Sequence, residues 1–187
     1  MKAKQHISIY NTAFVGVMAA IIYVLTMFRF PLFGSKVHFA NAMCLLAGLL
    51  FGPLGGGLAA GIGSALYDLL AGGYGVVEAL ITLVMKFMMA FICAKIAGAD
   101  GQTVKHARIM AGCVIGALSY VALYMLKTFV FQRFVYGYPG DAVWVTMLGK
   151  LPASLINAVF AMIVAPILYE AVRPALAKTG MLAKLQF

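Results

Sequence analysis

Carboxylates are scarce in this chain. Only five of its 187 residues are Asp or Glu, and charged residues of both signs make up 10%. Soluble domains carry about 25% charged and about 45–50% apolar residues. Here 64% are hydrophobic, and a water-soluble fold of this length has too little interior to hide that much apolar surface. An ordinary soluble domain is excluded. The sequence also lacks a phosphate-binding Gly-x-x-x-x-Gly-Lys loop, a His-Glu-x-x-His pair and a Gly-x-Ser-x-Gly elbow. Each motif supplies the groups its chemistry needs, so an enzyme, intramembrane or otherwise, has no motif support. Cysteines are few. Cys44, Cys93 and Cys113 fall inside apolar runs without zinc spacing, and they read as small buried hydrophobes. His6, His38 and His106 are far apart in sequence. No metal and no cofactor is expected.

What the chain does contain is long apolar runs. Lipid is the solvent that fits them, and at about 20 residues per span the length allows six helices with short connections. The expected fold is an all-α integral membrane protein, one transmembrane domain over residues 1–187. Its six helices are expected at about 10–30, 38–51, 54–70, 76–96, 107–131 and 147–172. Pro31 and Pro174 end the first and the last. The uncharged stretch 39–67 is too long for one span, and Gly52-Pro53-Leu54-Gly55-Gly56-Gly57 divides it. Lys2 and Lys4 precede an apolar run, as in a signal peptide, but that run is long enough to span and no small-residue cleavage site follows. It reads as a retained first helix. No internal repeat is visible.

The formal charge of +9 is mostly a topology signal. With both termini inside, inner segments hold Lys2, Lys4, Lys95, Lys105, Arg108, Arg173, Lys178 and Lys184. Outer segments hold Arg29, Lys36, Lys127, Arg133 and Lys150. The bias favours cytoplasmic termini. Basic residues scattered over both sides do not make a nucleic-acid surface.

Lys86 is the most informative residue. It lies ten residues into the fourth predicted helix, about 15 Å deep. A charge near the bilayer centre costs about 2.5–3.5 kcal/mol on insertion scales. It either contacts a ligand or serves structurally, capping carbonyls or pairing with an acid. Asp68 reads as a solvated helix-end carboxylate. Glu78 and Thr82 share one face of the fourth helix, and Lys150 and Asn157 share one face of the sixth. Tyr120, Tyr124 and Lys127 follow i, i+4, i+7 spacing on the fifth. Such a tyrosine stripe serves packing or an interfacial belt in most helices. If these faces converge, they form an outward-facing pocket with aromatic walls and a few polar anchors, the usual makeup of a small-molecule site. Trp144 reads as an interface anchor or a lid residue. Thr12, Gly16 and Ala20 make a small-residue stripe on the first helix, and Gly57 and Gly61 make another on the third. Such stripes let helices approach closely. The second reads as internal packing; the first faces either a neighbouring helix or a partner subunit.

Three segments together resemble one known family. They are Gly34-Ser35-Lys36-Val37-His38-Phe39-Ala40-Asn41, Leu45-Leu46-Ala47-Gly48-Leu49-Leu50-Phe51-Gly52-Pro53 and Gly61-Ile62-Gly63-Ser64-Ala65-Leu66-Tyr67-Asp68-Leu69-Leu70. They resemble the substrate-binding S components of energy-coupling factor (ECF) transporters, in the branch related to riboflavin, hydroxymethylpyrimidine and pyridoxine. Leu83-Val84-Met85-Lys86-Phe87 matches that branch too. The resemblance implies a six-helix bundle in the bacterial plasma membrane with cytoplasmic termini. It implies a pocket near the outer face, covered by the loop at residues 31–37, which is expected to act as a mobile lid. It implies a transmembrane coupling subunit and two ATPase subunits as partners. The family's Ala-x-x-x-Ala docking motif maps to Gly16 and Ala20, with Gly in place of the first Ala. Met1-Lys2 stands where cobalt and nickel S components have Met-His, which argues against those metals. Asn41 stands where an acid is expected in relatives.

The expected function is therefore capture of a small heterocyclic vitamin or precursor for ATP-driven uptake by partner subunits. The expected ligand contacts are Glu78, Lys86, Tyr120, Tyr124, Lys150 and Asn157, with His38 and Asn41 at the lid. The alternative is a stand-alone membrane carrier or channel, and copurification with an ATPase module separates the two.

Overall fold

The computed structural model describes residues 9–32, 35–99 and 104–180. Lys2, Lys4, His6, Gly34 and Lys184, which entered the charge count, the metal argument or the lid, lie outside the described residues. Helix α1 spans Ile9–Met27. Two short strands follow, β1 (Arg29–Leu32) and β2 (Ser35–His38), antiparallel with Arg29 opposite His38. Then come α2 (Ala40–Leu66), α3 (Gly75–Ala97), α4 (His106–Val130) and α5 (Gly140–Lys178).

Five helical units are long and apolar enough to cross a membrane: α1, α3, α4, α5 and the continuous stretch Ala40–Ala71. The last is not straight. Gly52 has φ 72° and ψ −175°, a conformation open to glycine and strained for residues with a Cβ. Pro53 follows at the start of the next helical turn, where its missing N–H costs little. The chain reverses there. A Cβ on Gly56 would sit 2.4 Å from Gly48 Cα, and Cys44 Sγ lies 4.0 Å from Ser64 Oγ. Residues 20 apart in a straight helix would be about 30 Å apart. The stretch is a helical hairpin with arms 40–51 and 53–66, and only glycine lets the arms touch backbone to backbone.

This hairpin forms the centre of the molecule, packing most extensively on α3 and α1. Its second arm presents Gly57 to the Phe87 ring and Gly61 to the Leu83 carbonyl of α3, so that stripe is internal packing. The surrounding helices turn large apolar side chains outward, among them Leu80, Val84, Leu118, Leu126, Val159 and Ile163. Lipid accepts such a surface where water does not.

Several boundaries differ from those expected. The first helix stops at Met27 rather than residue 30, because Arg29 begins the strand pair. Residues 31–37, expected as a loop, belong largely to that pair. Two helices end in π-helical turns, Tyr67–Ala71 and Phe131–Val135, closed by Gly72 N–H to Tyr67 C=O (2.7 Å) and Tyr136 N–H to Phe131 C=O (2.9 Å). The last helix begins at Gly140 rather than 147 and runs past Pro174 to Lys178. A proline removes one hydrogen bond but its φ suits a helix, and one turn from the end that loss is small. At 39 residues, about 58 Å long, α5 exceeds the hydrocarbon thickness of about 30 Å.

Candidate functional site

One end of the bundle gathers the strand pair, both π-helical turns and the segments that precede α3 and α5. A cavity of about 590 Å³ opens there. Local structure explains how its walls are furnished. A π turn carries one extra residue per turn, shifts the register of the side chains beyond it, and often marks a functional site. The first one sets Tyr67 and Asp68 on the cavity wall. The strand pair carries Arg29, Lys36 and His38 over the mouth.

Lys86 stands at the floor, 3% exposed. Its ammonium donates to Asn41 Oδ1 and lies 3.8 Å from the Tyr120 ring centroid. A buried ammonium needs such partners, because an unpaired one costs several kcal/mol (about the effective desolvation penalty of one ion). Tyr120 and Tyr124 stack on each other, centroids 6.3 Å apart and planes inclined by 17°, and Lys150 Nζ is 5.9 Å from the Tyr124 centroid. Glu78 accepts from Lys127 Nζ at 2.6 Å, both partly buried. Asp68 and Thr82 both line the wall, on either side of the junction between α2 and α3.

Asn157 is committed to the strand pair. Its Nδ2 donates to the Lys36 carbonyl (2.7 Å) and its Oδ1 accepts from the His38 backbone N–H (2.9 Å). The amide thus pairs with β2 as a neighbouring strand would, and fastens the cover to α5. His38 has its Nδ1 buried with no hydrogen-bond partner among the described residues. Desolvation, then the positive charges of Lys86 and Arg29, push its pKa down to about 3. The ring is neutral at physiological pH.

Seven of the eight expected contact residues line this cavity: His38, Glu78, Lys86, Tyr120, Tyr124, Lys150 and Asn157. Asn41 is the exception. With α2 starting at Ala40, its side chain turns into the core behind Lys86, 2% exposed, rather than standing at the lid. Asp68, expected as a solvated carboxylate, lines the cavity instead, because the π turn rotates it inward. Sequence reasoning also missed Arg29, Lys36, Tyr67 and Tyr74 as wall residues. The available signal was charge: Arg29 and Lys36 are the two charged residues between Lys4 and Asp68. On α1, Thr12, Gly16 and Ala20 are exposed, and a Cβ on Gly16 would meet nothing within 4 Å among the described residues. Among the described residues the stripe is not used for packing. Trp144 is exposed on the first turns of α5.

Residues 6–174 match the family described as ECF-type riboflavin transporter, S component. A curated relative, an uncharacterised protein in the gap 3′ region of Pyrococcus woesei, is 38% identical over 117 residues, covering 62% of this chain and 72% of its own. A solved structure described as the S component of a bacterial ECF transporter superposes with a TM-score of 0.69 at 18% identity, over 89% of this chain and 96% of that one. At that identity the superposition speaks for the fold.

Proposed function

The chain belongs to the family of ECF-type riboflavin transporter S components and is a multi-pass membrane protein, and from that premise we propose that it captures a small heterocyclic vitamin or precursor of the riboflavin, hydroxymethylpyrimidine or pyridoxine type. The observation that carries this reading is the cavity of about 590 Å³ with a buried ammonium, stacked tyrosines and a strand pair across its mouth. Ligand-sized clefts run about 300–1,000 Å³, with apolar or aromatic walls and few polar anchors. In this reading the ring of the ligand lies against Tyr120 or Tyr124. Lys86 and Lys150 donate to ring nitrogens or to carbonyl or phenolate oxygens, and Glu78 takes donors such as a hydroxymethyl or amino group. Asn157 holds the cover, and Asn41 orients Lys86.

The two arms of α2 cross the membrane separately, giving six crossings with both termini cytoplasmic and the cavity outside. The reversal at Gly52 supports the count, and the Lys and Arg distribution of the whole sequence supports the orientation. Uptake is powered by a coupling subunit and two ATPases docked against Thr12, Gly16 and Ala20, whose exposed small surface permits close helix approach. Native mass spectrometry of the protein purified from its membrane tests the capture role. One small heterocycle released in stoichiometric amount is expected. Protein that carries only lipid, and whose melting responds to none of the three vitamin types, defeats the reading.

A further inference from the structure

Cations outnumber anions in this cavity. Five basic side chains line it against the two carboxylates Asp68 and Glu78. The carboxylates are accounted for. Glu78 neutralises Lys127, and Asp68 is the carboxylate whose field reaches Lys86. Arg29, Lys36 and Lys150 form no ion pair among the described residues. Two of these three converge at the mouth. Arg29 Nη1 donates to the Tyr74 hydroxyl at 2.8 Å, and Lys36 Nζ donates to the same oxygen. The Arg29 guanidinium is held 4.8 Å over the Tyr67 ring and 5.7 Å from the Tyr74 ring. A neutral phenol between two cations is a weak counter-ion. Burial raises the Tyr74 pKa, but the hydrogen bonds and charges of Lys36 and Arg29 outweigh it and lower it overall. The paired guanidinium and ammonium match the oxygens of a carboxylate or a phosphate.

We propose that Arg29, Lys36 and Tyr74 form an anion subsite at the cavity mouth, so that among heterocycles of these types the cavity favours those that bear a carboxylate or phosphate over their neutral counterparts. This inference rests on the capture reading of the same cavity and narrows its substrate class. The ring occupies the floor beside Tyr120, Tyr124 and Lys86, and the anionic substituent reaches out to the strand pair.

The same cations near a bilayer surface would also suit lipid phosphates, so the test uses matched soluble probes. Melting of the detergent-purified protein is followed with rising inorganic phosphate at constant ionic strength. Riboflavin and riboflavin 5′-phosphate are titrated in parallel, each against wild type, R29Q/K36Q and the milder Lys36→Gln. The expected result is saturable stabilisation by phosphate that the double variant loses. The phosphorylated flavin should bind about tenfold or more tightly than the neutral one, as one charge-assisted hydrogen bond predicts, and the preference should shrink in Lys36→Gln. No saturable response to phosphate overturns the proposal, as does riboflavin binding as tightly as its phosphate. A preference unchanged in the variants also overturns it. These failures leave the capture reading intact. A phosphate response lost in R29Q/K36Q, with neither flavin bound and no heterocycle retained, sustains the subsite and sinks the vitamin reading instead.

Discussion

Lys86→Met keeps the length of the side chain and removes its ammonium. In the wild type that ammonium serves Asn41 Oδ1 and the face of Tyr120, leaving one of its three donors for the cavity. Removal strands the Asn41 amide, 2% exposed, at about 1–3 kcal/mol for an unsatisfied buried polar group. It also forfeits a desolvated cation–π contact of about 2 kcal/mol. Relief of the buried charge offsets part of this, so a net loss of about 1–3 kcal/mol is expected. Lys86→Met/Asn41→Leu removes both polar partners, a change that is nearly neutral when shape is kept. Affinity behaves differently. A charged hydrogen bond to ligand is worth about 1.5–3 kcal/mol, or about 10–150-fold in Kd, and Asn41→Leu does not restore it. The single variant therefore loses stability and affinity, whereas the double variant recovers only stability. Melting and titration with the ligand identified by native mass spectrometry, on the same detergent sample, read both. A double variant that melts and binds like wild type would refute ligand contact by Lys86 and leave it a structural role.

Gly16→Leu combined with Ala20→Leu should leave ligand binding unchanged and abolish energised uptake, since both positions face outward on α1; unimpaired uptake contradicts docking there. Asn157→Ala removes two hydrogen bonds that hold β2, together about 1–3 kcal/mol, so amide exchange at residues 35–38 should accelerate while exchange in α3 stays unchanged. Gly56→Val forces a side chain into the Gly48 backbone, which cannot yield, and should destabilise by about 1–3 kcal/mol or more, seen as a lower melting temperature. For His38 the folded pKa of about 3 lies below the ordinary histidine value of 6.5, so the unfolded chain takes the proton first. Its contribution to stability is full above about pH 6.5 and is lost as pH falls toward 3. The fall in melting temperature between about pH 7 and pH 5 should be shallower in His38→Gln than in wild type.

The outline of the fold was legible because membrane helices announce themselves by composition, and the break at Gly52-Pro53 is visible as punctuation. Lys86 could be singled out because an ionisable residue in an apolar run is expensive wherever it points. The Tyr120 and Lys150 faces followed from helical spacing. The strand pair was not legible: Arg29-Phe30-Pro31-Leu32 has no alternation, and pairing with β2 depends on Asn157, 119 residues from His38. The π turns were equally hidden, since nothing in Tyr67–Ala71 distinguishes i→i+5 bonding from an ordinary last turn. Those two features carry Arg29, Lys36, Tyr67 and Asp68 to the cavity, and these are among the residues that spacing alone missed.

The central claim is that this chain captures substrate and depends on partners to move it. Uptake of the retained ligand into proteoliposomes, with the chain alone and with a coupling subunit plus ATPases, tests this directly. The account predicts binding without accumulation for the chain alone and ATP-dependent accumulation with the full assembly. Accumulation by the chain alone at the same rate, with no need for ATP, would contradict it and establish a stand-alone carrier.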